Sequence, residues 1–244
     1  MTEPWPTAAR TSRPARPAAP VVVSVPDHAE DIAARIIGAM APLDPALVLL
    51  FGMPAGGLPD LGNALRAGLG TECRVVGCSS AGEIGPTGYA AATVTAVGFP
   101  AASFRVGICV LRDQALVPAS EWMAVLRRFH ADFRPDLRRS MFGVVLPDAH
   151  ARQEEVLTAT LDAAIPGLPV VGGSSAGGLM FAPSCQMIDG AVHEGAALFL
   201  LIETDLAVAE VLFSHFSPTD RRAVVTAADP HNRIILELNA EPAA

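Results

Sequence analysis

Two short stretches rich in glycine and serine carry most of the usable polar chemistry in an otherwise apolar chain. Val75-Val-Gly-Cys-Ser-Ser-Ala-Gly82 and Val170-Val-Gly-Gly-Ser-Ser-Ala-Gly177 agree at seven of eight positions, at an offset of 95 residues. Glycine lets a backbone turn sharply and approach a ligand closely. Successive N–H groups in such a loop can cradle an anion, and a seryl hydroxyl both donates and accepts hydrogen bonds. The ligand-binding candidates are Gly77, Cys78, Ser79, Ser80, Gly82 and Glu83 in the first loop, and Gly173, Ser174, Ser175 and Gly177 in the second. Glu83 has no acidic counterpart, because Gly178 stands at the matching place. A site shared by the two loops would therefore be chemically unequal, with Glu83 suited to a ligand amino group. The plainer reading makes both loops tight turns and Glu83 a solvated carboxylate.

Two covalent chemistries compete with ligand binding. Gly173-Ser-Ser-Ala-Gly177 fits G-x-S-x-G with Ser175 as a hydrolase nucleophile. Asp189 with His193, or Asp205 with His215, could complete a triad. The nucleophile elbow requires a helix directly after the serine, however, and Gly178 to Pro183 starts a helix poorly. Cys78 could be a reactive thiol, but no His or Lys adjoins it to lower its pKa. A small buried cysteine is the simpler expectation, and the reading favours a protein that is not an enzyme.

Both loops need strands to deliver them. Val21–Val25, Ala46–Phe51, Cys73–Gly77, Thr93–Phe99 and Phe104–Val110 read as strands in the first part, with Pro100-Ala-Ala-Ser as a hairpin between the last two. Helices are expected from Asp27, with Glu30 completing an approximate capping box, and over Asp60–Leu69. A third helix, capped by Ser120, should carry Trp122, Val125, Leu126 and Phe129 on one face. The pattern then restarts: strand Met141–Leu146, helix Arg152–Ala164, strand Leu168–Gly172, a hairpin at Asp189-Gly190, and strands Ala196–Ile202 and Leu206–Phe213. The offset of 95 that aligns the loops also superposes Ala46–Phe51 on Met141–Leu146, and Thr93–Phe99 matches Ala196–Ile202 at 103. The expected fold is α/β (α+β as the variant): mixed β-sheets with flanking helices in two pseudo-repeated halves, about 21–112 and 113–215. A Pro/Ala/Arg tail over 1–20 precedes them, and a hairpin about His231-Asn232 follows.

Composition narrows the partners. Hydrophobic residues make up 51% of the 244 and charged residues 17%, which suits a packed globular chain. The net charge is −8 and all 17 basic residues are arginines, scattered apart from three adjacent pairs. Nucleic acid demands a basic face, so it is excluded, as is an anionic membrane surface. The four cysteines form no C-x-x-C pair, which argues against a zinc site. Apolar runs are too short to span a bilayer, and no signal-peptide core is evident. A cytoplasmic protein is expected.

Val76-Gly-Cys-Ser-Ser-Ala-Gly-Glu-Ile84, with Gly88-Tyr89 and Val97-Gly-Phe99, resembles the first signature of the FIST sensory domain. Val170–Gly177, with Phe181, Asp189-Gly190 and Gly195-Ala196, resembles the second. The resemblance spans roughly residues 30–220. Val225 through Ala243 is similar to the opening of that family's C-terminal part, so 221–244 is expected to be a partial start of it. The resemblance implies a small-ligand sensor in signal transduction, with an amino acid or similar metabolite as ligand and a signalling protein as partner. It implies no obligatory cofactor. Some family members are haem-binding nitric-oxide sensors, and His215, between Ser214 and Phe216, is then the candidate axial ligand among His28, His130, His150, His193, His215 and His231.

Overall fold

The computed structural model describes residues 18–54, 57–113, 116–177, 184–212, 216–230 and 232–243. It divides into two units, Met1–Val208 and Ala209–Ala244.

The first unit builds one topology twice. Its first half runs β1 (Val21–Pro26), α1 (Ile32–Met40), β2 (Pro45–Gly52), α2 (Leu58–Leu69), β3 (Arg74–Cys78), a ribbon of β4 (Glu83–Gly85) and β5 (Gly88–Ala90), then β6 (Thr93–Pro100). Its second half runs β7 (Phe104–Leu111), α3 (Ala119–Phe133), β8 (Ser140–Pro147), α4 (Glu154–Ala164), β9 (Val170–Gly172), a hairpin of β10 (Gln186–Ile188) and β11 (Ala191–Val192), then β12 (Ala197–Thr204). The strand orders are β1-β6-β2-β3 and β7-β12-β8-β9. In each sheet the last pair is parallel, β2 with β3 and β8 with β9, and the others are antiparallel. Sheet membership divides the repeats at residues 101–103. The expected hairpin at Pro100-Ala-Ala-Ser is absent; those residues carry the chain from one sheet to the other.

Burial defines four layers. Ile36 and Met40 of α1, with Leu58, Leu61 and Leu65 of α2, pack on the outer face of the first sheet. Trp122, Leu126 and Phe129 of α3, with Leu157 and Leu161 of α4, pack on the outer face of the second. These residues recur three or four apart, which puts each set on one helical face. Between the sheets lies a core made of strand residues alone, including Leu47, Leu49, Val76 and Phe99 facing Val106, Leu146, Leu198 and Ile202. The order is helices, sheet, sheet, helices. β12 is buried at every position, so its run of apolar residues serves both the inter-sheet core and the helical layer.

One exchange breaks the symmetry between the halves. The second half's hairpin leaves its own sheet, and β10 pairs antiparallel with β3 at the edge of the first. The turn at Asp189-Gly190 has φ of 52° and 85°, the left-handed pair that a two-residue hairpin needs.

Three local expectations differ from what is observed. Helix α1 begins at Ile32, and its N-terminus has no side-chain cap from Asp31, Asp27 or Glu30. Helix α3 is entered from Pro118 in extended conformation, with Ser120 inside the first turn rather than capping it. Leu206–Leu212 are exposed or half-exposed and pair with no strand.

The second unit holds a three-stranded antiparallel sheet, β13 (Val225–Asp229), β14 (Ile234–Leu238) and β15 (Glu241–Pro242). The expected hairpin is therefore present and carries a further strand. No described helix is long and apolar enough to cross a membrane.

Candidate functional site

The two glycine-serine loops leave the C-terminal ends of the parallel strands β3 and β9 and meet. The Ala176 N–H donates to the Ser79 carbonyl at 2.9 Å. Hairpin β10–β11 clamps the junction: the Ser79 N–H donates to the Cys185 carbonyl and the Cys185 N–H donates to Ser79 Oγ, both at 2.8 Å. From β10, Gln186 Nε2 donates to Ser175 Oγ at 2.8 Å. Ser79, Ser175 and Gln186 are each at most 4% exposed. Buried polar groups must find partners: Ser79 finds them in the opposite half, while Ser175 and Gln186 pair with each other within the second.

This junction consumes several of the expected site residues. Ser79 spends its N–H, carbonyl and hydroxyl on the second half. Ser175 gives its N–H to the Pro147 carbonyl at 2.9 Å and its hydroxyl to the same oxygen at 3.3 Å. Gly77 is buried, and a Cβ there would meet Leu50 and Leu58, so its glycine serves strand packing. Cys78 belongs to the inter-sheet core, where burial pushes its thiol up to about 12. Gly177 is buried, whereas Gly173 and Ser174 are exposed. The Gly173 N–H donates to the Val145 carbonyl at 3.2 Å, and Ser174 Oγ donates to Glu154 at 3.1 Å. The amides of Ser79, Gly173, Ser175 and Ala176 are thus engaged within the protein.

Beside the first loop lies an open pocket of about 300 Å³. Phe51 from the end of β2, Ser80 and Gly82 from the loop, Glu83 and Ile84 from β4, and Thr95 from β6 line it. Phe51 and Thr95 face each other across neighbouring strands, at the rim of the inter-sheet layer. Glu83 is the charged group. It is only 5% exposed; Ser80 Oγ donates to its Oε1 at 2.7 Å and Thr93 Oγ1 donates to its Oε2 at 2.9 Å. Glu83 is thus held in place by hydroxyls and is not a solvated carboxylate. Tyr89, opposite Ile84 in the ribbon, lays its hydroxyl against Gly82, where any Cβ would collide with it. Of the expected residues, Ser80, Gly82 and Glu83 reach the pocket; those of the second loop do not line it. Phe51, Ile84, Tyr89 and Thr95 were not among the sequence candidates.

The hydrolase constellation does not assemble among the described residues. Gln186, not a histidine, holds Ser175 Oγ, and Ala176 and Gly177 are not helical. Asp189 is engaged at the hairpin turn by Arg74 at 2.7 Å and Arg66 at 2.8 Å, and it accepts the Val75 N–H at 2.9 Å. Burial lowers the pKa of His193, with the nearby Arg112 adding to the effect. His215 lies outside the described residues, as does Phe181. The pocket offers no histidine to haem iron, and no cluster of three metal-ligating side chains occurs among the described residues.

The FIST N domain profile matches residues 46–241. The chain belongs to the FIST family. FIST domains are sensory modules, and the matched span takes in both loops, the pocket and strands β13 and β14. No curated protein matches. Among solved structures, the FIST chain is similar to a cyanuric acid hydrolase from A. caulinodans, at 9% identity over 77% of this chain and 72% of that one. The TM-score is 0.33, a likeness too slight to bear on activity.

Proposed function

We propose that this FIST domain senses a small ligand in the pocket beside Ser80 and Glu83, and that it is a binding module rather than an enzyme. The observation that carries the proposal is the continuity of that loop with the junction. Ser80, Gly82 and Glu83 line the pocket, while Ser79, next in the chain, is bonded to both Ala176 and Cys185 of the other half. A ligand that shifts Ser80 or Glu83 therefore acts on the contact between the halves. A partner protein that reads this contact would detect a change in conformational population.

A thermal-shift screen over amino acids, small carboxylates, amines and haem tests this. A ligand at about a hundred times its Kd stabilises the folded state by about 2.7 kcal/mol, which for a chain of this length raises Tm by roughly 5–10 °C. The shift should vanish in Ser80→Trp, whose side chain fills the pocket. Stabilisation that persists in that variant places the ligand elsewhere, and no shift with any compound in the wild type refutes ligand sensing at the pocket.

A further inference from the structure

Resting on the pocket assignment above, we infer that the site selects an amine cation that carries no carboxylate. Each oxygen of Glu83 accepts from a different hydroxyl. Both hydroxyls are placed to donate to the acceptor oxygens of a carboxylate. A buried anion is costly unless a cation accompanies it. Yet no described arginine or histidine lies within ion-pair range of Glu83, and no lining residue is basic. Two hydroxyls fill only part of the carboxylate's accepting capacity. A ligand ammonium or guanidinium supplies the missing charge.

The same surroundings reject a carboxylate. A zwitterionic ligand would have to bury its anionic end beside Glu83 with no basic side chain to receive it. Phe51 and Ile84 provide apolar wall, and Tyr89 stands at the Gly82 edge. The ligand that fits is a cationic head on an apolar body.

Calorimetric titration of the full chain with L-leucine methyl ester, L-leucine, n-butylamine and butyrate tests this, with amide shifts of Ser80 and Thr95 locating the binding. The ester and n-butylamine should saturate one site. L-leucine should bind roughly ten- to a hundredfold more weakly than its ester, the scale of one charged hydrogen bond, and butyrate should not bind. Glu83→Gln should weaken the ester by a similar factor; the comparison of ester with free acid on the wild type needs no variant. Leucine binding as tightly as its ester, or full ester affinity in Glu83→Gln, overturns the inference. Leucine or butyrate shifting Ser80 while both amines fail to do so overturns it and leaves ligand sensing at the pocket standing. No shift at Ser80 or Thr95 with any probe overturns both.

Discussion

Two buried glutamates show how differently one side chain is accommodated in this chain. Glu203, 2% exposed at the end of β12, receives two bonds from Arg105, at 3.2 and 2.8 Å, and the Asp136 N–H at 2.7 Å. Burial works to raise its pKa, but the Arg105 and Asp136 bonds and the charge of Arg139 outweigh it and hold it below the ordinary value. Glu83 has the hydroxyls of Ser80 and Thr93 instead, and no described arginine. A carboxyl held below its unfolded value stabilises the fold fully above about pH 4.3, and that contribution is lost as pH falls toward the folded value. Glu203→Gln should cost about 1–3 kcal/mol at pH 7, and urea titrations should show the gap from wild type narrowing below about pH 4. A gap that is constant with pH would mean that Glu203 acts through packing alone. The cysteines give a second test. Burial pushes the thiols of Cys73, Cys78 and Cys109 up to about 12, so at pH 8 only about one in ten thousand is ionised. Iodoacetamide should leave Cys78 unmodified in the native protein and label it in urea, as read by mass spectrometry; rapid native labelling would place Cys78 at an open site after all. At this scale the sequence disclosed Ser80, Gly82 and Glu83, because they are contiguous with the repeated loop. It could not disclose Phe51 or Thr95, which join them only through the β6-β2-β3 strand order.

Among the elements, the repeat was legible wherever strand pairs kept their spacing. The offset of 95 carries β2 onto β8 and β3 onto β9, and the near-identical loops follow for that reason. The correspondence of β1 with β7 was hidden. Val21–Pro26 and Phe104–Leu111 share a place in their sheets but no residue pattern, and a Pro-containing link looks like a hairpin whether or not its strands pair. The Asp189-Gly190 turn was visible from its residues, but its destination was not, because nothing local distinguishes a hairpin on its own sheet from one on its neighbour's. Asp189 is what fixes that destination. Its carboxylate takes Arg66 and Arg74 on one oxygen and the Val75 N–H on the other, so it joins the turn of the second half to α2 and β3 of the first. All three side chains are partly solvated, which discounts the ion pairs. The lost amide acceptor remains, so Asp189→Ala should lower stability by about 1–2 kcal/mol. Amide exchange should quicken most at Ser79 and Asp189, whose bonds close the β3–β10 contact; unchanged exchange there would mean that strand pairing alone seats the hairpin.

At the scale of the whole first unit, duplication has produced two sheets that do not behave as two domains. Each half has its own helical layer, yet they share one inter-sheet core with no helix in it, and β10 from one half completes the sheet of the other. Separating the halves would expose the inner faces of both sheets, leave the edge of β3 unpaired, and break the bonds of buried Ser79 to Ala176 and Cys185. Unpaired buried polar groups are expensive, so a half-unfolded state has little to stabilise it. We therefore expect the halves to unfold together. The experiment is built into the sequence, which has two tryptophans, Trp5 near the N-terminus and Trp122 buried at 2% exposure in the core under α3. In a Trp5→Phe variant, fluorescence reports Trp122 and so the second half, while amide exchange at β2 and β6 reports the first. Both should give one urea midpoint, the coincidence that marks a two-state transition. A first half that melts while Trp122 keeps its native emission would show the junction to be too weak to couple the halves. In that event a ligand beside Glu83 would have no route by which to alter the second repeat.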